Sequence, residues 1–332
     1  MLSRVAESLF WMARYVERAE AVSRLVAVSF QARLDGVEPG AWADMARMST
    51  DEALLERLCG GDEESALRFL LAHPRNPNAV LTCLARAREN ARAARDQISG
   101  EMWEQLNRLY LLARSGDSDD PAQVPYTFFL QVRDGSQALD GITSATMTHG
   151  EAYHFIQLGR HLERATSTLR TLRVRHERVS SLEDGTAESS LALMTLLKAC
   201  GAFEPFRRQG GSQLQPGRVA QYLLLDPLFP RSLLFCLDRC AAALPAAAPG
   251  RGGERLDTPV RLLGRLRADL AFLDADEVVG PGLCRFLEEL LTRIHQLGDE
   301  VTRTYFNTRV ILPAPRASRA VQQQQQQQQR VR

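Results

Sequence analysis

Residues 9–30 read LFWMARYVERAEAVSRLVAVSF, and their apolar side chains recur every three or four positions. The apolar stripe extends in both directions and consists of Leu2, Val5, Leu9, Met12, Val16, Ala19, Val26 and Phe30. This spacing is the period of an amphipathic α-helix. It predicts one long helix over roughly residues 3–34, ended by Gly36 and Pro39.

The same periodicity continues through the rest of the chain, and no run shows the alternation of a strand. Further helices are predicted near residues 41–58, 62–72, 78–98, 100–114, 125–145, 150–178, 187–205, 217–225, 230–244, 256–274 and 280–308. The segments between them are polar or rich in proline and glycine. The sequence therefore predicts an all-α protein with long helices.

An internal repeat relates the two halves of the chain. A shift of 146 residues places Arg14, Glu17, Arg18 and Ala19 on Arg160, Glu163, Arg164 and Ala165. A shift of 153 residues places FLL (69–71) on YLL (222–224), Pro77 on Pro230, CL (83–84) on CL (236–237) and Arg86 on Arg239. Both matching blocks occur in the same order, which indicates a tandem duplication.

The repeat predicts a pseudo-symmetric helical bundle with two halves, residues 1–145 and 146–312. The halves either form separate bundles or share one core. Residues 313–332, a proline- and arginine-rich segment followed by a run of glutamines, have the composition of a disordered tail.

Composition excludes several classes of function. The formal net charge of this 332-residue chain is +1, which argues against a nucleic-acid partner. No apolar run has the length of a membrane span, and six scattered cysteines without a C-x-x-C pair indicate a reducing compartment, hence the cytoplasm. His154 and His161 are seven residues apart, too far along a helix to share a metal. No phosphate-binding or nucleophile motif is present, so neither a metal nor a cofactor is predicted.

The repeated Arg-x-x-Glu-Arg motif has two possible roles. Arg14, Glu17 and Arg18 share one face of the first helix, beside aromatic and aliphatic side chains, so that face is expected to contact something. In a structural role, the two motifs pair with each other as a buried ion network and fix the helix register. In a binding role, the arginines line a pocket and present their planar guanidinium groups to a carboxylate or phosphate.

The opening MLSRVAESLFWMARYVERAE resembles the start of the bacterial alpha-E proteins, helical proteins with a Glu-Arg motif. Further similar motifs follow in the family's order: NPN (76–78) with ARENAR (87–92), GRHLERA (159–165), and FPRS (229–232) with CLD (236–238). The resemblance covers residues 1 to about 312. It transfers the motif to Arg14, Glu17, Arg18, Arg160, Glu163 and Arg164, and more loosely to Arg88 and Glu89.

The resemblance also implies partners. Alpha-E proteins are typically encoded beside, or fused to, circularly permuted ATP-grasp proteins, often with transglutaminase-like peptidases. The expected function is therefore that of a helical partner or substrate-holding subunit of an amide or peptide ligase system, which binds the ligase or a carboxylate-bearing ligand. Two alternatives are a stand-alone enzyme of peptide or amino-acid amide chemistry, with Glu17 or Glu163 as acid/base, and a structural oligomerisation module. The enzyme would require glutamates that are free of arginine, because paired arginines depress the pKa of a carboxyl group.

Overall fold

In the computed structural model, residues 1–34, 47, 63–115, 126–179, 182–183, 185–210, 214–247, 258–273 and 282–306 are described. The predicted helix at 41–58, apart from residue 47, and the predicted tail at 313–332 lie outside these ranges. The described residues form α-helices and two short helical turns of other types, with no strand, which confirms the all-α prediction.

The helices largely follow the predicted bounds. They are α1 (Ser3–Leu34), α2 (Glu63–Leu71), α3 (Val80–Ala93), α4 (Gly100–Ser115), α5 (Tyr126–Thr146), α6 (Glu151–Val179), α7 (Ala187–Ala199), α8 (Phe203–Arg208), α9 (Pro216–Leu225), α10 (Leu233–Ala247), α11 (Thr258–Ala271) and α12 (Leu283–Val301). A 3₁₀ turn follows α3 at Arg95–Gln97, and a π-helical turn follows α12 at Thr302–Phe306.

One predicted helix, residues 187–205, is divided in two. Gly201 lies between α7 and α8 with a φ of 64°, in the left-handed region that glycine adopts without steric cost. The amides of Gly201 and Ala202 donate to the carbonyls of Lys198 and Leu197, which closes the end of α7. The apolar pattern continues across this break, and for that reason periodicity alone predicted one helix.

The helices α1 and α6 form the centre of the molecule. They run parallel, since the contacts that join them keep a nearly constant offset in residue number, from Met1 with Glu151 to Glu17 with Arg164. Helix α1 packs against α3 and α5, and α4 packs against both of these. In the same way α6 packs against α10 and α12, and α11 packs against both.

The apolar core has two clusters, and neither coincides with one half of the sequence. The larger cluster takes in the first half of α1 and most of α6, α10 and α12. The smaller one contains the second half of α1 with α2 and α5, together with Val174 and Ala199. Both clusters thus contain residues from each side of position 145, and the predicted boundary there stays a prediction, as does the duplication.

A close approach of backbones sets the spacing of α1 and α6. A Cβ atom placed on Gly159 would lie 2.3 Å from the carbonyl oxygen of Phe10, a distance that real Cβ atoms do not adopt. Glycine is therefore required at this crossing. The crossing lies about two turns before Glu17 on α1 and about one turn before Glu163 on α6, and it brings the charged side chains of the two motifs within reach of each other.

Candidate functional site

The carboxylate of Glu163 forms the first half of the site. It accepts hydrogen bonds from Nε of Arg14 at 2.8 Å and from Nε and Nη2 of Arg18 at 2.6 and 2.9 Å. The side chain is 1% exposed. Burial would raise the pKa of Glu163, but attraction to Arg18 and Arg14 outweighs burial and holds this pKa well below its usual range. Glu163 is therefore ionised at neutral pH.

The carboxylate of Glu17 forms the second half. Nε and Nη2 of Arg164 donate to its two oxygens at 2.7 and 2.8 Å, a bidentate pair, and Nη1 of Arg231 adds a third bond at 3.2 Å. Burial acts to raise the pKa of Glu17, but attraction to Arg164 and Arg231 lowers it from 4.5 to about 2.

The two motifs thus exchange partners between α1 and α6. The glutamate of each helix binds an arginine of the other, since Glu17 pairs with Arg164 and Glu163 pairs with Arg18. The structural role of the motif requires such pairing, which places the glutamates within hydrogen-bond distance of arginine. The condition set for an acid/base glutamate, freedom from arginine, is not met at either position.

Arg160 occupies a different position from its sequence counterpart Arg14. Whereas Arg14 binds Glu163, Arg160 forms a close ion pair with Asp140 of α5 and lies 3.5 Å from Oε1 of Gln157. It is 7% exposed. Asp140 was not predicted as a site residue, because no sequence pattern indicates that α5 crosses α6 at this point.

Two more residues complete the network and were also not predicted. Asn78 accepts a hydrogen bond from Nη1 of Arg18 at 2.8 Å, and Arg231 binds both Glu17 and Glu20. Positions 78 and 231 are related by the shift of 153 that aligns the second block of the repeat. This shared offset was the sequence signal that could have identified Asn78 and Arg231 as equivalent positions, although the two residues are of different types.

A small cavity of about 30 Å³ lies beside the Glu17 pair. Its lining includes Glu17, Glu20, Gln137, Arg160 and Arg231. Glu20 is buried and accepts through Oε1 from Arg231 at 2.9 Å and from Gln137 at 3.3 Å. The cavity is also lined by apolar residues, and its volume and polar groups suit ordered water, which buried polar groups commonly bind.

Arg88 and Glu89 lie outside the network. Nε of Arg88 donates to Asn107 of α4 at 2.6 Å, and the guanidinium group stacks over Trp103 and Tyr110 at 5.5 and 5.0 Å from the ring centroids. Glu89 is exposed and pairs with Arg92 at 2.5 Å. Neither contacts Glu17 or Glu163 among the described residues. The structure therefore does not bring these two residues to the motif.

Other chemistry-bearing side chains show ordinary packing. Among the described residues, no three His, Cys, Asp or Glu side chains are placed to hold a metal ion. Burial raises the pKa of Cys83 and of Cys236 to about 12, so neither thiol is a ready nucleophile. Burial and the nearby Arg164 and Arg160 lower the pKa of His161 to about 3.

Within the described ranges, no helix combines the length and hydrophobicity that crossing a membrane requires.

Comparison with known proteins gives relatives without an assigned function. Uncharacterised proteins of Mycobacterium tuberculosis and Mycobacterium bovis are 26% identical to this chain over 336 aligned positions. The match covers 93% of this chain but 37% of each relative, so the chain spans little more than a third of their length. No solved structure matches.

A family model identifies the chain more directly. It matches residues 1–306, which include both Glu-Arg motifs and every described helix. The model describes a predicted alpha-helical domain with a conserved ER motif. Glu17-Arg18 and Glu163-Arg164 are the Glu-Arg pairs of the repeated motif, and they are among the residues that join α1 to α6. The chain belongs to the Alpha-E family.

Proposed function

We propose that this protein is a non-catalytic helical partner of an ATP-grasp-type amide or peptide ligase, which docks the ligase or holds a carboxylate-bearing substrate for it. The observation that carries the proposal is the reciprocal pairing of Glu17 with Arg164 and Glu163 with Arg18. An acid/base catalyst needs a pKa near the working pH. A glutamate with a pKa of about 2 and three arginine bonds serves as an anchor.

The ligase partner itself comes from the family resemblance. Each mycobacterial relative continues for most of its length beyond the matched region, which leaves room for a second module in the same polypeptide. The resemblance implies that this module is a circularly permuted ATP-grasp protein. Ligation at the cost of ATP belongs in the cytoplasm, and buried free cysteines suit a reducing compartment. A transglutaminase-like peptidase is a second partner on the same grounds.

A groove between α1 and α3 is the surface on which we place the ligase. It has a volume of about 670 Å³, is open to solvent, and is lined by Leu2, Trp11, Tyr15 and Asn90 among others. The side chain of Leu2 is 72% exposed. Trp11 and Tyr15 are half-buried, and partly accessible aromatic side chains beside an exposed aliphatic one in a concave surface are typical of protein–protein contacts.

The first experiment measures ADP release by the neighbouring ATP-grasp protein with an amino-acid mixture, with and without this chain. We expect the chain to copurify with the ligase and to raise its turnover. Leu2→Asp should weaken copurification, because it places a charge in the groove. Leu228→Asp is the matched control, since Leu228 is 80% exposed and does not line the groove. If the purified pair neither associates nor changes turnover, the partner role is wrong.

A second pair of variants tests the motif. Arg160→Met removes the buried partner of Asp140, whereas Arg267→Met removes the half-exposed partner of Asp238, bound at 2.5 Å. We expect folded Arg160→Met to lose the stimulation of the ligase and Arg267→Met to keep it. Equal stimulation by both variants would separate the partner role from the Glu-Arg network.

A further inference from the structure

The two ends of the Glu-Arg network differ in their number of carboxylates. At the Glu17 end, Glu20 and Asp140 accompany the arginines, and each contributes a carboxylate to an ion pair. At the other end, Glu163 is the sole carboxylate paired with Arg14 and Arg18 among the described residues. In the described part of the chain, the Glu17 end has three carboxylates for four arginines, Arg24, Arg160, Arg164 and Arg231, and the Glu163 end has one carboxylate for two, so each end has one guanidinium group in excess before Arg170 is counted.

Arg170 adds to this excess. It lies two turns after Glu163 on α6, and in the part of the chain that the structure describes it forms no ion pair with a carboxylate. Its Nη2 lies 3.4 Å from Nε2 of His295 on α12, an exposed residue. Burial lowers the pKa of Arg170, and repulsion from Arg18 and Arg14 lowers it further, whereas attraction to Glu163 acts to raise it. Three guanidinium groups thus lie near one carboxylate.

The guanidinium group of Arg14 is held in a fixed orientation. Its Cζ lies 4.8 Å from the centroid of the Trp11 ring and 5.5 Å from that of Phe10, while Nε donates to Glu163. Its Nη1 and Nη2 make no hydrogen bond within the described residues. Gly298 of α12 is close to this group, because a Cβ placed there would be 3.5 Å from Nη1. Helix α12 therefore lies directly against the guanidinium group of Arg14.

We infer that Arg14, Arg170 and His295 form a binding site for the carboxylate end of a small or peptide-like ligand, with Glu163 holding Arg14 and Arg18 in place beneath it. The choice of a carboxylate ligand rests on the proposed function. The location of the site rests on the excess of guanidinium groups around Glu163. Two planar guanidinium groups match the geometry of a carboxylate, and an added anion offsets charge that the described protein leaves uncompensated. His295 forms the solvent-facing side of the site.

Calorimetric titration of the full chain with N-acetylglycine and with N-acetylglycinamide tests the site, because these two compounds differ only in the carboxylate. We expect N-acetylglycine to bind and the amide not to bind. The ring resonances of His295 should shift during the first titration and not during the second. Absence of N-acetylglycine binding, or equal binding of the amide, would overturn the inference, and tighter binding of inorganic phosphate would overturn the assignment to carboxylates.

A matched pair of variants locates the site. Arg170→Gln leaves all three arginine bonds of Glu163 intact, so the fold is retained. It should weaken N-acetylglycine binding about tenfold, the effect of one lost charge-assisted hydrogen bond. Arg173→Gln is the control, since Arg173 lies one turn further along α6 and pairs with Glu177 and Glu288 at 3.6 and 3.5 Å. Equal loss in both variants would mean that the ligand responds to surface charge and not to this site.

The binding assay contains no ligase, so its result is separate from that of the stimulation assay. If N-acetylglycine does not bind but the chain still stimulates the ligase, the inference fails and the partner role stands. If N-acetylglycine binds with the expected variant pattern but no ligase responds, the partner role fails and the carboxylate site stands.

Discussion

Replacement of Glu163 by glutamine is the sharpest test of the Glu-Arg network. The substitution keeps the shape of the side chain and removes its charge. In the native protein, both oxygens of this buried carboxylate are occupied by Arg14 and Arg18 at distances between 2.6 and 2.9 Å. A glutamine offers one acceptor oxygen and one amide donor, and that donor would face a guanidinium group that is itself a donor. The variant therefore loses charge–charge attraction and gains an unmatched pair of donors.

The expected cost follows from the burial of the pair. Loss of one member of a buried ion pair costs about 3–5 kcal/mol, because the remaining charge stays desolvated without compensation. Glu163 should lie in the upper part of this range, since its removal leaves Arg14, Arg18 and Arg170 close together without a carboxylate. The same substitution in an exposed ion pair costs about 0–1 kcal/mol.

Urea unfolding followed by circular dichroism at neutral pH measures this difference. Glu289→Gln is the matched control, because Glu289 is on α12, pairs with Arg285 at 3.1 Å and is exposed. We expect the urea midpoint of Glu163→Gln to fall well below that of the wild type, and that of Glu289→Gln to stay near it. A Glu163→Gln variant as stable as the Glu289→Gln control would refute the claim that the motif holds α1 and α6 together.

Three further predictions use the same unfolding assay. The pKa of Glu17 is about 2 in the folded protein and 4.5 in the unfolded chain, so its ionisation contributes about 3 kcal/mol of stability above pH 4.5. This contribution is lost as the pH falls towards 2, and Glu17→Gln should flatten this part of the pH profile of stability. His161 is buried in its neutral form with a pKa of about 3 against 6.5 when unfolded, so stability should already decline as the pH falls below 6.5. Burial also lowers the pKa of His154, His176 and His295, so His161→Gln should make this decline shallower, and an unchanged slope would contradict the role of His161. Gly159→Ala should destabilise the protein by about 1–3 kcal/mol through its clash with the Phe10 carbonyl, whereas Gly264→Ala, on a helix with open space around the new Cβ, should be neutral or stabilising, and equal effects would exclude the close crossing.

The helices could be predicted from the sequence because each long helix carries a continuous apolar pattern. The stripe from Val5 to Val26 gave α1 with its bounds, since the helix has to bury that side along its whole length. Periodicity could not show that Gly201 adopts a positive φ and ends α7. That conformation depends on the chain direction that α8 needs in the folded protein, a tertiary requirement.

The partners of the motif could be predicted only in part. The repeat indicated that Glu17 and Glu163 have equivalent positions, and pairing across the two halves was one of the two roles it allowed. The shift of 146 places Arg24 on Arg170 but does not show that Arg170 lies near Glu163. It also did not reveal Asp140, which lies outside the matching blocks and reaches Arg160 from α5. Long-range contacts of this kind follow from the helix crossings, which a single sequence does not specify.

A buried ion network adds specificity more readily than it adds stability, because the cost of removing charges from water offsets much of their attraction. Here the specificity concerns the alignment of two long helices. A slip of one residue between α1 and α6 would rotate each motif by about 100° and separate Glu17 from Arg164 and Glu163 from Arg18. At the Glu17 end, the carboxylates of Glu20 and Asp140 offset most of the arginine charge. The Glu163 end keeps arginines in excess at fixed positions, so the alignment that the network enforces is also what would give a carboxylate ligand a pre-organised place to bind.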